Sequence, residues 1–365
     1  MKIAFRTDAS IQIGSGHVMR CLTLANALRQ NGADCTFICR AHTGHLLELI
    51  KQHGHNTVEL PVHIDHIFSD AHSANAHAAW LGTGWANDAA ETKQAIENHQ
   101  LDWLVIDHYA LDFQWEKKLR PHCKRLMVID DLANRKHDCD LLLDQNLGRN
   151  EEHYQNLVPQ SAKTIMGPQY ALLRPEFEEL REISLARRSR PTLKQLLITL
   201  GGMDNANVTS DVLTALCQST LPKELCVNVV MGKNAPWLEH VRTLAETMPR
   251  PTKVLVNVTD MAQLMTDSDL VIGAAGGTAW EFCCLGLPAI VLCLADNQLA
   301  GITALAKSGA ALFIEDSNKL VSLFDSHFSA ENHAALLNQL SQTAAAITLG
   351  RGTALVINEM EHLYV

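Results

Sequence analysis

The chain has 365 residues, 47% of them hydrophobic, which is enough for two packed domains but not for three. Its formal net charge of -10 at pH 7 argues against binding to a phosphate backbone, so we expect no nucleic-acid partner. The ten cysteines include no Cys-x-x-Cys pair, which favours reduced thiols in a cytoplasmic protein.

The N-terminus has the pattern of a short strand ending in charge, unlike the basic and apolar segments of a signal peptide. Residues 270–295 contain Glu281 as their one charged side chain, but their glycines and Pro288 divide them into strand, helix and strand of soluble length. We therefore expect a cytoplasmic protein without stable membrane insertion. We also expect a monomer.

Short β-rich runs alternate with helical segments along the whole chain. These runs lie at residues 2–5, 35–39, 103–106, 125–129, 141–143, 195–200, 227–231, 253–256, 270–272 and 289–293. Strands that alternate with helices predict parallel sheets joined by right-handed crossovers. The predicted fold class is therefore α/β, with two doubly wound Rossmann-like domains and an active-site cleft between them.

The alternation stalls between residues 167 and 190, where a charged stretch ends at Pro191. We therefore predict a first domain at residues 1–175, a linker at 176–191 and a second domain at 192–345. A charged surface helix is an equally good interpretation of the linker. Residues 346–365 are predicted to form a C-terminal helix that could pack back on the first domain.

Two glycines separate the first predicted strand from the first predicted helix, in the run Gly14-Ser15-Gly16-His17. Glycines at such a turn let backbone amides approach a ligand, and they place His17 in the first helical turn. The positive end of the helix dipole favours a neutral imidazole, which can accept a proton from water. The alternative is a packing turn in which His17 caps the helix. The third glycine of a dinucleotide fingerprint is missing, so NAD is not expected.

A second turn of this kind contains Gly276, Gly277 and Thr278, followed by Glu281 one helical turn later. Bare amides and a hydroxyl at a helix N-terminus suit a diphosphate, and a carboxylate there can accept hydrogen bonds from ribose hydroxyls. These residues are candidates for binding the diphosphate and ribose of a nucleotide. The alternative is a glycine-rich packing turn in which Glu281 is an ordinary first-turn acid.

Other polar residues also follow predicted strands. Gly201 and Gly202 follow the first strand of the second domain, and their amides could face the same phosphates, although such a pair is also a common turn. Asp107 and Tyr109 follow the strand at 103–106 and could line a sugar pocket, because ligands of open α/β sheets bind at the carboxyl ends of strands. Asp131 is interpreted as a turn or capping residue.

Eighteen histidines raise the question of a metal site, above all around His63, His66, His72 and His77. Their spacings do not place them on one helical face with a carboxylate, so no metal is expected there. No other cofactor is predicted.

Taken together, the motifs resemble the UDP-2,4-diacetamido-2,4,6-trideoxy-β-L-altropyranose hydrolases of pseudaminic acid biosynthesis. The resemblance covers nearly the whole chain. It is carried by Arg6-x-Asp8-x-Ser10-x-x-Ile13-Gly14-x-Gly16-His17-x-x-Arg20-Cys21, Asp107-His108-Tyr109, Ile129-Asp130-Asp131-Leu132-Ala133-x-Arg135, Gly201-Gly202-x-Asp204, Trp280-Glu281-x-Cys283-Cys284-x-Gly286 and Ala295-Asp296-Asn297-Gln298. The chain departs from the family at the phosphate loop, where Gly277 stands in place of a serine.

The resemblance implies the GT-B fold, shared with the lipid II glycosyltransferases. It also implies a metal-independent, inverting hydrolase that cleaves the C1–O bond of the UDP-sugar and releases UDP and the free sugar, with His17 deprotonating the water. Candidates for binding this substrate, beside the glycines of the UDP site, are Asp8, Gly14, Gly16, Arg20, Asp107, Tyr109, Asn297 and Gln298.

Two other functions use the same frame. A glycosyltransferase acting on a UDP-N-acetyl sugar would hand the sugar to an acceptor and would need an acceptor surface. A nucleotide-sugar sensor would bind without turnover. A strict acceptor requirement would favour the first of these, and UDP-sugar binding without turnover would favour the second.

Overall fold

A computed structural model describes residues 1–63, 75–97, 100–274, 276–294, 298–328 and 333–364. The chain divides into two compact units. The first unit contains Met1–Leu172 together with Gly352–Val365, and the second contains Leu173–Arg351.

The first unit is a parallel sheet with helices. Its strands are β1 (Lys2–Thr7), β2 (Asp34–Arg40), β3 (Asn56–Leu60), β4 (Leu101–Asp107), β5 (Cys123–Ile129), β6 (Leu141–Asp144) and β7 (Lys163–Met166). Its α-helices are α1 (Gly16–Gln30), α2 (Leu47–Gln52), α3 (Trp85–Ile96), α4 (Phe113–Leu119) and, at the C-terminus, α13 (Gly352–Tyr364). Short 3-10 helices lie at Ala78–Leu81, Arg120–His122, Glu151–Tyr154 and Pro168–Tyr170.

The second unit repeats this architecture. Its strands are β8 (Gln195–Thr199), β9 (Cys226–Met231), β10 (Thr252–Val256), β11 (Leu270–Ala274), β12 (Ala289–Leu292) and β13 (Leu312–Ile314). Its α-helices are α5 (Pro175–Arg188), α6 (Val208–Gln218), α7 (Leu238–Glu246), α8 (Met261–Asp267), α9 (Gly277–Cys284), α10 (Leu299–Ser308), α11 (Leu320–His327) and α12 (His333–Ala345). A 3-10 helix lies at Ser317–Lys319.

Both sheets are parallel and doubly wound. The first has the strand order β3-β2-β1-β4-β5-β6-β7 and the second β10-β9-β8-β11-β12-β13. The central strands are apolar over nearly their whole length, as expected for strands covered by helices on both faces. In each sheet the strand order reverses direction at one central pair, β1 with β4 and β8 with β11, and ligands of open α/β sheets bind outside the carboxyl ends of such pairs.

The C-terminal helix α13 packs on the first unit, although it follows the second in sequence. Val356, Ile357 and Met360 are buried in the same apolar core as residues of β1 and α1. Gly352 begins this helix where a Cβ atom would lie 2.2 Å from the carbonyl oxygen of Ala171, so a side chain would not fit there. The return of the chain to the first unit therefore depends on a glycine at this contact.

The segment predicted as a linker is largely helical. Helix α5 spans Pro175–Arg188 and belongs to the second unit, where Phe177 is fully buried. The Arg181 side chain donates to the carbonyl oxygen of Ala345 at 2.7 Å, which ties α5 to the end of α12. The chain thus passes from the first unit to the second between Leu172 and Leu173, and it returns to the first between Arg351 and Gly352.

The cysteines other than Cys293 are free thiols. None of the helices in the described ranges combines the length and apolarity needed to cross a bilayer.

Candidate active site

The turn between β1 and α1 is shaped by its own hydrogen bonds. The Ser10 hydroxyl accepts from the backbone amides of Gln12 and Ile13 at 3.1 and 2.9 Å, and the Gly14 amide donates to the Ser10 carbonyl at 2.8 Å. Gly14 has a φ of 81°, which disfavours residues with a side chain. Helix α1 begins two residues later, so His17 is its second residue.

Asp107 at the end of β4 binds the His17 ring, because β1 and β4 are neighbours in the sheet. The distance from His17 Nδ1 to Asp107 Oδ1 is 2.6 Å. An ionised carboxylate can only accept, so Nδ1 carries the proton and Nε2 is the basic nitrogen. No hydrogen bond to Nε2 is formed by the residues that the structure describes, and the His17 residue is 8% exposed.

Arg20, one turn further along α1, binds two carboxylates at once. Its Nε and Nη2 atoms donate to the two Asp107 oxygens at 2.6 and 2.7 Å, and its Nη1 atom donates to Asp131 Oδ2 at 2.7 Å. The Tyr109 hydroxyl donates to the same Asp131 oxygen at 2.6 Å. The Tyr109 ring in turn meets the His17 ring edge to face, with centroids 4.5 Å apart. These contacts join five residues into one group, which we call the His17 cluster: His17, Asp107, Arg20, Asp131 and Tyr109.

The charged groups of the His17 cluster shift one another's pKa values. Burial alone would raise the pKa of Asp107, but the Arg20 guanidinium and His17 hold it well below its usual range. Burial and the Asp131 carboxylate raise the pKa of the Tyr109 hydroxyl, which therefore remains a hydrogen-bond donor. Asp107 is thus a permanent anion that can orient His17 and stabilise its protonated form.

Asp8, predicted to bind substrate, lies beneath this site. Its residue is 0% exposed, and its Oδ1 atom contacts Arg6 Nη1 and the backbone amide of Arg40, both at 2.7 Å. Its Oδ2 atom is 3.3 Å from His108 Nε2. In this conformation Asp8 therefore supports the carboxyl edge of β1 and does not reach the surface where a ligand would bind.

The glycines of the second unit lie at the carboxyl ends of the neighbouring strands β8 and β11. Gly201 and Gly202 follow β8, whereas Gly276 caps α9 and Gly277 begins it. A Cβ atom built on any of these four would meet no atom within 4 Å. By contrast, a Cβ atom at Gly286 would lie 2.5 Å from the Leu185 side chain.

The open space around these glycines tests the alternative interpretation, in which they are glycines of a packing turn. Gly277 and Gly202, like Gly16 in the first unit, have neither a positive φ nor a neighbour that would exclude a side chain. Neither backbone conformation nor packing within the described residues therefore requires glycine at these positions. A ligand that approaches the backbone closely would require it.

Glu281 is the fifth residue of α9, which begins at Gly277, and it is half-buried. The described residues give its carboxylate no hydrogen bond or ion pair. Burial raises its pKa, the Arg174 guanidinium opposes the shift, and Glu176 adds to it. A carboxylate in this position has acceptor capacity to spare for hydroxyl groups. Thr278, next to Gly277, is also half-buried.

The loop after β12 contains two further predicted substrate contacts. Gln298 immediately precedes α10, and its side-chain oxygen accepts from the Leu294 amide at 3.3 Å. It therefore belongs to the second unit and is engaged with its own loop. Asn297 lies outside the described residues, as does Ala275 in the phosphate loop.

Two of the four histidines weighed for a metal, His66 and His72, also lie outside the described residues. His63 Nε2 is 2.6 Å from Glu91 Oε1, and His77 packs among aromatic rings near His17. Across the described ranges, no group of three or more acidic, histidine or cysteine side chains is arranged to hold a metal ion.

Asp131 is the site residue that the sequence analysis misjudged. It was interpreted as a turn or capping residue, but it accepts from both Arg20 and Tyr109. The signal was present in its position two residues after the end of β5, which lies next to β4 in the sheet. Arg135 was not singled out either, and its guanidinium lies 5.8 Å from the Tyr109 ring centroid.

Comparison with known proteins supplies a family for part of the chain. Residues 196–347, within the second unit, match the glycosyltransferase family 28 C-terminal domain. A crystal structure of Acinetobacter baumannii MurG superposes with a TM-score of 0.64 at 17% identity and covers 99% of both chains. The fold is GT-B, as the resemblance implied, with a Rossmann-like sheet of seven strands in one unit and of six in the other.

Two relatives match most of the chain. A UDP-2,4-diacetamido-2,4,6-trideoxy-beta-L-altropyranose hydrolase of Campylobacter jejuni is 27% identical over 85% of this chain and 97% of its own length. An uncharacterized protein of Methanocaldococcus jannaschii is 27% identical over 80% of this chain, which spans 55% of that longer protein. The resemblance to the hydrolase family that the motifs indicated is thereby confirmed.

Proposed function

We propose that this protein, a GT-B chain similar to the UDP-diacetamido-trideoxysugar hydrolases, is a UDP-sugar hydrolase. It would act in the synthesis of surface-glycan precursors. Its substrate in this proposal is UDP-2,4-diacetamido-2,4,6-trideoxy-β-L-altropyranose, the sugar nucleotide of pseudaminic acid biosynthesis. The observation that carries the proposal is the His17 ring, oriented through Nδ1 by Asp107 with Nε2 free of protein hydrogen bonds among the described residues.

The reaction needs one base and one good leaving group. The oxygen of water attacks C1 of the sugar while Nε2 of His17 takes a proton from that water. The bond between C1 and the phosphate oxygen breaks, and UDP leaves with the bonding electrons as a stabilised anion. Attack opposite the leaving group inverts C1. No second carboxylate is needed, because UDP requires little help from a general acid.

Asp107 and Arg20 divide the electrostatic task in this mechanism. The Asp107 carboxylate stabilises the imidazolium that forms when His17 takes the proton. Arg20, bonded to both Asp107 oxygens, keeps that carboxylate ionised and fixed in orientation. The proton then returns to solvent after the sugar leaves.

In the proposal, UDP is assigned to the second unit. The amides at Gly276 and Gly277 and the start of α9 suit the diphosphate, and Gly201 and Gly202 on the adjacent strand suit the same anion. Glu281 would accept hydrogen bonds from the ribose hydroxyls. The match of this unit to a glycosyltransferase domain supports a sugar-nucleotide ligand.

A glycosyltransferase is the second candidate, favoured by that same domain match. It differs in what attacks C1, since an acceptor hydroxyl would replace water. His17 could serve as base in either reaction. The two functions therefore separate on the acceptor requirement alone.

The deciding experiment is turnover of the UDP-sugar in ¹⁸O-labelled water without any acceptor. We expect free sugar carrying the label at C1 and unlabelled UDP. His17→Ala should lower kcat by about two to four orders of magnitude while UDP binding persists. His362→Ala, on the exposed side of α13, is the matched control and should be unchanged.

Three outcomes would contradict the proposal. Label on the phosphate would mean cleavage of the P–O bond, and turnover only after an acceptor is added would mean transfer. Unchanged turnover of His17→Ala would remove His17 as the base.

A further inference from the structure

A short segment before α3 is tied to the end of β4, beside His17. The Asn75 side-chain amide donates to the Tyr109 carbonyl at 2.8 Å, and its oxygen accepts from the His77 amide at 2.9 Å. The 3-10 helix Ala78–Leu81 follows, with Leu81 buried in the first unit's core. This segment is thus anchored at both ends to the same unit as His17.

Three aromatic rings meet there, and we call His77, Trp80 and Tyr109 the aromatic wall. Trp80 stacks on Tyr109 with centroids 5.8 Å apart and an interplanar angle of 26°. His77 contacts both rings edge to face, at 4.5 Å from Trp80 and 5.3 Å from Tyr109. The His17 ring lies 4.5 Å from Tyr109 and 6.5 Å from Trp80.

The wall presents uncharged surface next to the proposed base. Tyr109 is buried, whereas Trp80 and His77 are only half-buried, so part of their ring surface is open. Burial lowers the pKa of His77, and the positive charge of Arg135 lowers it further. The three rings are therefore neutral near pH 7.

The proposed reaction constrains what this surface can contact. If His17 Nε2 takes a proton from water attacking C1, the sugar ring must lie within a few ångströms of His17. Trp80, with its centroid 6.5 Å from that of His17, is then within reach of the sugar. The hydrogens of sugar C–H groups carry slight positive charge, and the faces of aromatic rings carry the complementary negative charge.

Resting on the proposed function, we propose that the aromatic wall is a specificity-determining subsite that packs against the C–H-rich face of a 6-deoxy sugar, including its C6 methyl group. A sugar with a hydroxyl at C6 would place that hydroxyl against the faces of aromatic rings, which replace poorly the hydrogen bonds that the hydroxyl makes with water. Aromatic surface of this kind rejects an added hydroxyl by about a hundredfold at most, so the discrimination is moderate.

The test compares Trp80→Ala with wild type on two substrates, the UDP-diacetamido-trideoxy sugar and UDP-N-acetylglucosamine, which has a C6 hydroxyl. We expect Trp80→Ala to lower kcat/KM for the 6-deoxy substrate by about 10- to 100-fold and to reduce the ratio between the two substrates. UDP affinity should be unchanged. Trp80→Phe, which keeps a ring, should restore most of the ratio.

Trp237→Ala is the matched control, because Trp237 is an exposed tryptophan of the second unit. It should leave the ratio between the two sugars unchanged, and thermal melting of each variant will detect misfolding. An equal ratio in Trp80→Ala and wild type, with the fold intact, would overturn the proposal.

Binding measured without turnover separates this proposal from the one on which it rests. On a His17→Asn background, the Kd values of the two UDP-sugars are compared with and without Trp80→Ala. The wild-type protein could fail to hydrolyse UDP-sugars while Trp80→Ala still removes the Kd preference for the 6-deoxy substrate. That result would support the aromatic wall and contradict the hydrolase function. If the wild type hydrolyses the UDP-sugar but the two UDP-sugars bind with equal Kd, the hydrolase function is supported and the aromatic wall is contradicted.

Discussion

Two strand-to-helix turns of this protein, β1–α1 and β11–α9, each follow a strand of the central pair in their sheet but differ in chemistry. The β1–α1 turn lies in a dense network, in which His17 and Arg20 bind Asp107, and Arg20 also binds Asp131. At the β11–α9 turn, the described side chains of residues 276–281 make no hydrogen bond or ion pair, and the glycines face open space.

In the proposed function, this difference corresponds to a division of tasks between the two turns. Fixing a general base requires neighbours that hold its tautomer and stabilise its charged form, so the first turn is filled with partners. Holding a diphosphate requires backbone amides that nothing else occupies, so the second turn is left open. The comparison predicts that damage to the first turn lowers turnover, whereas damage to the second lowers affinity.

The largest effect expected beyond His17 itself is that of Asp107→Asn. An amide can donate to the imidazole and stabilise the wrong tautomer, and it carries no charge to stabilise imidazolium. We expect kcat to fall roughly a thousandfold. The measurement is steady-state hydrolysis with UDP affinity determined in parallel by calorimetry.

UDP affinity is the internal control for Asp107→Asn and should stay within twofold of wild type by this account. A variant that loses both properties together would break the separation between the turns. The exposed Asp267→Asn provides a matched substitution in the second unit.

The second turn is tested by Gly277→Val. Because a Cβ atom at Gly277 meets nothing within 4 Å, the variant should fold with unchanged stability. The added methyl groups would occupy the space of the phosphate, and the loss of one or more charge-assisted hydrogen bonds should weaken UDP binding by about tenfold or more. Calorimetry with UDP alone measures this without reference to turnover.

Gly286→Ala should show the opposite pattern. Gly286 has a φ of 58° and no room for a Cβ atom beside Leu185, so its substitution should lower the melting temperature. If Gly277→Val destabilises the protein as Gly286→Ala does, Gly277 is a packing glycine after all.

A smaller effect is expected from Asp131→Asn. Within the His17 cluster, Asp131 is bound to Arg20 and Tyr109 but not to His17, so it acts on His17 indirectly. Both hydrogen bonds go to the same Asp131 oxygen, so an amide oxygen at that position could still accept both, but the charge opposite Arg20 would be lost. We expect kcat to fall by about tenfold with KM unchanged, because a small misplacement of the base slows proton transfer.

A purely structural role of Asp131 would instead lower stability and leave the pH profile of kcat unmoved. The pH profile is therefore recorded with kcat. Asp131→Glu should recover part of the rate if the charge opposite Arg20 is what matters.

The sequence predicted the positions of the turns better than their partners. Alternating apolar runs and glycine pairs locate β1–α1 and β11–α9, because such signals are local in the chain. The pairing of His17 with Asp107 depends on β1 and β4 being adjacent, and nearly a hundred residues separate the two strands' loops. That adjacency follows from sheet order, which no local pattern encodes.

Asp8 and Asp131 show, in two opposite ways, the same limit of prediction from local sequence. Asp8 belongs to the motif around His17, yet burial beneath the sheet edge removes it from the surface. Asp131 has the sequence context of a turn, yet the fold brings Arg20 and Tyr109 to it. Whether a polar residue serves a site or supports it depends on contacts between distant segments.

The last prediction concerns the pH dependence of stability, and it arises in the first unit. Beyond Asp131, the Tyr154 hydroxyl lies 2.8 Å from Asp130 Oδ2 and 2.9 Å from Asp144 Oδ2. One hydroxyl proton cannot be donated to both carboxylates. All three groups are satisfied when Asp144 is protonated and donates to Tyr154, which donates to Asp130.

The two carboxyl groups are shifted in accordance with this arrangement. Burial and the nearby Asp131 carboxylate raise the pKa of Asp144 to about 7. Burial would also raise the pKa of Asp130, but Arg135 and His137 bring it down to about 2. Of these two carboxyl groups, Asp144 is therefore the one that changes its charge in the folded protein near neutral pH.

The sign of the effect follows from linkage. An unfolded aspartate has a pKa near about 4, so between about pH 4 and 7 the folded state holds a proton on Asp144 that the unfolded state has lost. Asp144 thus contributes stability that is full below about pH 4 and is lost as the pH rises through about 7. Asp144→Asn, which mimics the protonated form in charge, should remove this slope. Urea unfolding of both proteins at pH 4.5, 6 and 7.5 measures it, and parallel curves would show that Asp144 does not hold the proton.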